Sequence, residues 1–360
     1  DIQTIVFARA RLTTEVLLGY LRDLWRSSGH DPLSIAGYRG GYLASERRAI
    51  EQGLRSGDVR GVVTTNALEL GVDIGELSAC VMAGYPGTVS SAWQQAGRAG
   101  RRMGESVAVL VASATPLDQY LITHPRFFFG QPVERALTDP NNLAILAQHL
   151  ACAVYELPFE PGETLGVREQ TEIILDALAE DHLVHRGARG YTWIAEKYPA
   201  AGMSLRTGVA DHVVIQDVGS SPVRVIGQMD RPSVPNLLHE GAVYIHAGET
   251  YVVDTLDWER GVAQVRATEV DYYTRSSRAT EVQVLQEYAT RPESTEVVLP
   301  QELGEKRDQC VLWGYGEGLV TTRVTGFRKI KRYTHETLAH TPLELPEQHL
   351  GTIGCWMALP

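Results

Sequence analysis

Gln94-x-x-Gly97-Arg98-x-Gly100-Arg101 carries the densest chemical signal in this 360-residue chain. A helix over 90–102 places Gln94, Arg98 and Arg101 at offsets of four and three, on one face. Two guanidiniums on one turn, beside glycines that permit close approach, suit the phosphates of a nucleotide. Arginine is always charged, and its planar fork matches phosphate oxygens. A lone Arg-x-x-Arg would read as a solvated helix end. Here the run TTNALELGVDIG at 64–75 precedes it, so the pair of runs is weighed together.

The elements that hold these residues follow from hydrophobic periodicity. TIVFA, LSIAGY, GVVTT, ACVMAG and SVAVLVAS read as strands buried on both faces, with helices predicted over 12–27, 43–56 and 90–102. Strand–helix alternation of this kind predicts an α/β lobe, a parallel sheet covered by helices. Right-handed crossovers then gather the loops after the strands at one edge, where ligands bind.

TTNALELGVDIG resembles motif V of superfamily 2 helicases, QQAGRAGR (94–101) their motif VI, and TIVFARAR (4–11) their motif IV. Segments 38–75, 84–102, 116–125 and 238–257 are similar to bacterial DEAD/DEAH-box DNA helicases of the MrfA (YprA) type, which are related to the Lhr helicases. The resemblance covers nearly the whole chain. It implies a RecA-like lobe in which Arg98 and Arg101 reach across a cleft to a γ-phosphate, with Arg101 as the arginine finger and Gln94 sensing the nucleotide or coupling it to the nucleic-acid groove. It places Gly71 and Asp73 near ribose and phosphates or against motif VI, with Gly97 and Gly100 beside them in the nucleotide site. Thr65 would hold a nucleic-acid phosphate, and Arg39, Arg9 and Arg11 would extend that track. Glu69 is either an internal cap partner or a ligand contact. Arg102 is expected to have a surface or interdomain role.

No G-x-x-x-x-G-K-[ST] run occurs, and no Asp-Glu-x-His or Asp-Glu-Ala-Asp run. The chain opens at Asp1 directly before a strand, so it is expected to be part of a longer protein. ATP and Mg2+ would then be bound mainly through an N-terminal RecA-like lobe, and this part alone is expected to be inactive. The implied activity is a 3′→5′ ATP-dependent DNA helicase of DNA repair, acting on single-stranded or partly duplex DNA. An RNA helicase and a non-enzymatic nucleic-acid-binding module remain as alternatives.

Downstream, DPNNLAILAQHLACAVYELPF is predicted as a helix capped by Asp139 or Asn141, and VREQTEIILDALAEDH as a second. LVHRGARGYTWI then reads as a glycine-tipped hairpin, so 131–204 is expected to be winged-helix-like, with Arg186 and Arg189 able to touch duplex. From 205 to 290 alternating patterns predict a small antiparallel β-barrel. Residues 291–360 form a second β-rich segment that opens on a polar linker at 291–309. The motor lobe is assigned to 1–130. Arg323, Arg328, Lys329, Lys331 and Arg332 make the densest basic stretch, and Tyr272 and Tyr273 are either core or base-stacking.

Composition sets bounds. A net charge of −11 and a pI near 5.5 exclude nucleic-acid binding by bulk charge, though not a local basic track. The absence of any stretch of eighteen apolar residues argues against a membrane span. Cys80, Cys152, Cys310 and Cys355 form no CxxC, and the first two sit in apolar runs as core thiols. The family is expected to carry a four-cysteine zinc site further downstream, so no metal is expected here. A cytoplasmic location is the corresponding expectation.

Overall fold

The computed structural model describes residues 2–72, 74–75, 77–100, 105–130, 132–136, 142–203, 212–293 and 311–358. Arg101, Arg102 and Asp73 lie outside the described residues. The chain divides into two compact units. One comprises Asp1–Thr14, Leu21–Gly40 and Arg48–His212; the other comprises Glu15–Tyr20, Gly41–Arg47 and Val213–Pro360.

The first unit opens with β1 (Thr4–Ala8), α1 (Arg11–Ser27), β2 (Ile35–Tyr38), α2 (Ala44–Ser56), β3 (Gly61–Thr64), β4 (Ala79–Ala83), α3 (Val89–Ala96) and β5 (Val107–Val111). The strands are all parallel, in the order β2-β3-β1-β4-β5. Ile5, Phe7, Val62, Cys80 and Met82 are sealed between the helical layers, which is why the central strands are continuously apolar. Burial pushes the Cys80 thiol up to about 12, so it behaves as a small hydrophobe. The expectation of burial on both faces fails at β5. This strand is a sheet edge, and Val107, Val109 and Val111 are exposed.

The predicted helix over 90–102 is also shorter in the structure. It ends at Ala96, where Gly97 caps it and donates its N–H to the Trp93 carbonyl at 2.8 Å. Gln94 and Arg98 therefore do not share one continuous helix face.

After β5 come α4 (Pro116–Thr123) and α5 (Pro125–Gly130). Asp118, in the first turn of α4, is fully buried and gathers the strand ends. It accepts from Arg9 Nη2 at 2.6 Å, Ser113 Oγ at 2.6 Å, Ser113 N at 2.8 Å and Tyr85 N at 3.3 Å. Burial opposes its ionisation, but hydrogen bonds from Ser113, Thr115 and Arg9 outweigh that and hold the carboxyl well below its usual range.

The same unit continues with α6 (Leu143–Glu156), α7 (Arg168–Glu180) and the hairpin β6 (Val184–Gly187)–β7 (Gly190–Trp193). Leu146, Leu150, Leu175, Val184 and Tyr191 form its core. The cap of α6 is Asn142, whose Oδ1 accepts from Ile145 N, while Asp139 and Asn141 lie outside the described residues. Gly190 sits at φ +111°, where an added Cβ would lie 2.0 Å from the Phe159 carbonyl oxygen.

The second unit holds β8 (His212–Asp217), β9 (Arg224–Asp230), α8 (Val234–Leu237), β10 (Val243–His246), β11 (Glu249–Asp257) and β12 (Val262–Ala267). Their sheet order is β10-β11-β12-β8-β9 around Val213, Ile215, Val253, Ala263 and Val265. The expected antiparallel pattern holds for β10, β11 and β12 and is broken where β8 pairs with β12 in parallel.

A second sheet follows from β13 (Tyr272–Glu293), β14 (Val311–Lys331), β15 (Thr337–Pro342) and β16 (Gln348–Ala358). Residues 272–290, expected to complete the small barrel, instead pair with β14. Residues 294–309 of the expected linker lie outside the described residues.

Asp118 yields a direct prediction. Asp118→Asn leaves buried donors short of an acceptor while Arg9 stays half-exposed and can rehydrate, so unfolding free energy should fall by about 2 kcal/mol. The lowered carboxyl adds stability that is fully present above its ordinary value of 3.8 and is lost as pH falls below it. Urea melts between pH 5 and pH 2 should therefore show a shallower acid limb in the variant than in the wild type.

Candidate functional site

The loop after β3 is built around one carboxylate. Thr65 caps a single 3-10 turn (Asn66–Leu68), its Oγ1 accepting from Ala67 N. The turn delivers Glu69, whose carboxylate accepts from Ser91 Oγ at 2.6 Å and Gln95 Nε2 at 3.0 Å on α3. Of the two readings open for Glu69, the internal partner is the one the geometry holds. Beyond it, Gly71 and Gly75 take φ of +74° and +77°, values that glycine adopts without strain.

Arg98 returns the connection. Its Nε donates to the Glu69 carbonyl at 2.9 Å and its Nη1 to the Val72 carbonyl at 2.9 Å, while Nη2 also donates to the Glu69 carbonyl. At 6% exposure the side chain is turned inward, so it is not presented to a cleft in this conformation. The two loops thus hold each other: Glu69 fastens α3 by its carboxylate, and Arg98 fastens the Glu69 loop by its backbone.

The glycines of the second loop have steric reasons. A Cβ at Gly97 would meet the Trp93 carbonyl oxygen at 3.1 Å. Gly100, at φ +86°, would place one 2.3 Å from Ser106 Oγ, and its N–H donates to the Leu77 carbonyl at 3.0 Å. Gln94 is half-buried, and among the described residues its amide has no hydrogen-bond partner, in contrast to Gln95 beside it.

The other expected contacts fall at strand ends and the wing. Arg9, after β1, is exposed and engaged by Asp118; Gly84 keeps space beneath it, since a Cβ there would lie 3.1 Å from Arg9 Nε. Arg39, after β2, is 2% exposed and its Nη1 donates to the Gly40 carbonyl, so its side chain lies inside rather than on a surface track. Arg11 is half-buried at the start of α1. On the wing, Arg189 is exposed in the β6–β7 turn, whereas Arg186 is paired with Asp176 at 2.9 Å.

Two residues that sequence reasoning missed complete the site. Glu134 accepts from Val89 N at 2.6 Å and Ser90 N at 3.0 Å at the start of α3, and these backbone donors lower its carboxyl from the usual range. Gln95 takes the Glu69 carboxylate. No short-range spacing announces either pairing, since the partners are 45 and 26 residues apart. Among the described residues, no three His, Cys, Asp or Glu side chains stand together as a metal site. No helix among them is long and apolar enough to cross a membrane.

Residues 1–103 match the helicase conserved C-terminal domain, and 138–208 match the winged helix domain of ATP-dependent helicase HRQ1. Along nearly its whole length the chain is similar to superfamily 2 helicases of the MrfA and YprA type. It is 46% identical to ATP-dependent helicase YprA of Bacillus subtilis over 99% of this chain and 46% of the relative. It is 30% identical to ATP-dependent helicase HRQ1 of Saccharomyces cerevisiae, over 100% of this chain and 33% of that protein. Among solved structures it resembles the DUF1998 helicase MrfA bound to DNA (TM-score 0.78, 46% identity, 99% of this chain and 46% of that one). It also resembles MrfA bound to DNA and AMPPNP (TM-score 0.76, 45% identity, 97% and 45%). The chain spans about half the length of YprA and MrfA, or less than half.

The Glu69 lock predicts non-additive mutations. Glu69→Ala and Gln95→Ala should each destabilise the chain, and the double variant should cost less than their sum by about 0.5–3 kcal/mol in a thermodynamic cycle. Additive effects in urea melts would show that the two side chains do not act as one unit.

Proposed function

We propose that this chain supplies the second motor lobe and following modules of an ATP-dependent DNA helicase that moves 3′→5′ and serves DNA repair. The observation that carries the reading is the mutual lock between the Glu69 loop and the Arg98 turn, at the strand-end edge where an α/β sheet takes its ligand. The similarity to a helicase solved with DNA, and with DNA and AMPPNP, supports the choice of DNA and a nucleoside triphosphate.

In this reading Arg101 is the arginine finger, and Arg98 is the positioning residue that sets the loop carrying Gly71 and Asp73. Gln94, with an uncommitted amide, responds to the nucleotide, and Gly97 and Gly100 let it approach the backbone. The triphosphate is the substrate. Its magnesium and the lysine that cradles its phosphates belong to an N-terminal lobe of the same protein. Thr65 and the backbone at Arg39–Gly40 hold phosphates of one strand, with Arg9 and Arg11 extending the track and Arg189 of the wing on duplex. Phosphate contacts carry no sequence information, so sequence-independent binding follows. The site lies in the cytoplasm with its DNA.

Arg101→Ala in the whole protein should lower ATP hydrolysis by about 10³-fold or more while leaving DNA affinity unchanged. Loss of both together would assign Arg101 a structural role. The 360-residue chain alone should show no DNA-stimulated hydrolysis, and turnover from it would contradict the division of the site between two lobes.

A further inference from the structure

The winged helix separates its charges by element. α7 is the second helix of a helix-turn-helix, the element that enters the major groove in DNA-binding modules of this shape. Its four carboxylates, Glu169, Glu172, Asp176 and Glu180, are spaced by three, four and four residues and so form one stripe. The stripe faces out. Glu169, Glu172 and Glu180 are exposed and Asp176 is half-buried, while Thr171, Ile174 and Leu175 on the other side are buried. Against them the helix carries a single basic residue, Arg168, at its first position. Lys and Arg supply phosphate binding, and carboxylates set against a phosphate backbone oppose it. This face therefore does not suit a groove.

The hairpin that follows has the opposite composition. Residues 184–193 contain His185, Arg186 and Arg189 and no carboxylate. Alternation and register sort them. Val184 and Arg186 pair with Trp193 and Tyr191 on one face, and that face is committed inward. Val184 and Tyr191 belong to the core, and Arg186 lies 5.5 Å over the Tyr191 ring with its Nη1 on Asp176 at 2.9 Å. His185 and Thr192 stand opposite one another on the other face, both exposed, and Arg189 is exposed in the turn beyond them. The root of the hairpin is fixed. Phe159 and Tyr191 exchange backbone hydrogen bonds at 2.8 and 2.9 Å, and the Tyr191 hydroxyl donates to Asp176 at 2.6 Å. One carboxylate of the stripe thus holds the wing by its inner face and leaves the outer face presented.

We propose that duplex DNA meets this module on the outer face of the wing, at Arg189, His185 and Thr192, and that α7 is turned away from the duplex. Arg189 brings the charge and Thr192 a hydroxyl donor, both ordinary partners of backbone phosphates. A wing anchored at its root meets the duplex with little left to order, which favours binding. With the acidic helix outside the groove, the module grips the backbone and reads no bases through α7. The inference rests on the duplex contact already given to Arg189, and adds which face of the module carries it and which helix is excluded.

The test is fluorescence-anisotropy titration of the whole protein with a labelled blunt duplex and with labelled oligothymidine of equal length, across a series of salt concentrations. Arg189→Gln should flatten the slope of log affinity against log salt by about 0.9 on the duplex, for one phosphate lost, and leave oligothymidine binding unchanged. Arg189→Lys keeps the charge and should restore the duplex slope. Glu169→Gln/Glu172→Gln should leave duplex affinity within about twofold in physiological salt, since charges beyond a Debye length of the phosphates are largely screened. Tighter binding than that puts α7 on the DNA and overturns the proposal. So does a duplex slope unchanged in Arg189→Gln that melts like the wild type, an equal loss on oligothymidine, or a wild type that does not hold the duplex. None of these outcomes touches the helicase reading, which fails instead if the wild-type protein shows no DNA-stimulated ATP hydrolysis.

Discussion

The structure of the candidate site depends on one interaction, the burial of the Arg98 guanidinium against the carbonyls of Glu69 and Val72. A buried cation is costly unless its donors are satisfied, and a rigid planar fork can satisfy several at once. Here it draws two successive turns of the loop after β3 onto the end of α3. The Glu69 carboxylate completes the arrangement from the other side through Ser91 and Gln95. Because donors and acceptors are exchanged in both directions, neither loop can shift by an ångström without exposing a polar group that the other has paid to bury. The proposed phosphate-handling role would draw on that rigidity, since positioning supplies most of the catalysis in phosphoryl transfer.

Much of this was legible in the sequence. The parallel lobe followed from apolar runs alternating with amphipathic helices, and the strands over 4–8, 35–38, 61–64 and 79–83 fall where periodicity placed them. The order of the two chemical runs pointed to one edge of the sheet. The role of Arg98 was not legible. Spacing in a continued helix put it on one face with Gln94 and Arg101, whereas the helix stops at Ala96 because Gly97 takes the cap. Helix ends are set by such local capping, which a count of three- and four-residue offsets does not see. Glu134 and Asp118 were likewise invisible, because a carboxylate that closes on backbone N–H groups from a distant segment leaves no pattern along the chain.

The β-rich half shows the complementary limit. Alternation identified its strands but not their partners. The parallel pairing of β8 with β12, and the pairing of β13 with β14, depend on which edges meet in space rather than on any one strand. Alternation also leaves open whether a basic run is a solvated face. Register settles which basic residues stand opposite one another, as Arg275, Arg328 and His340 do, and that geometry is available only once three strands are paired.

The central claim, that Arg98 holds the loop after β3 in place, is tested most directly by hydrogen–deuterium exchange of residues 66–75 in the wild type and in Arg98→Lys. Lysine keeps the charge but lacks the fork, so the account predicts faster exchange confined to this loop and to α3, with β1 and β4 as protected as before. Exchange in 66–75 that is the same in both proteins would contradict it.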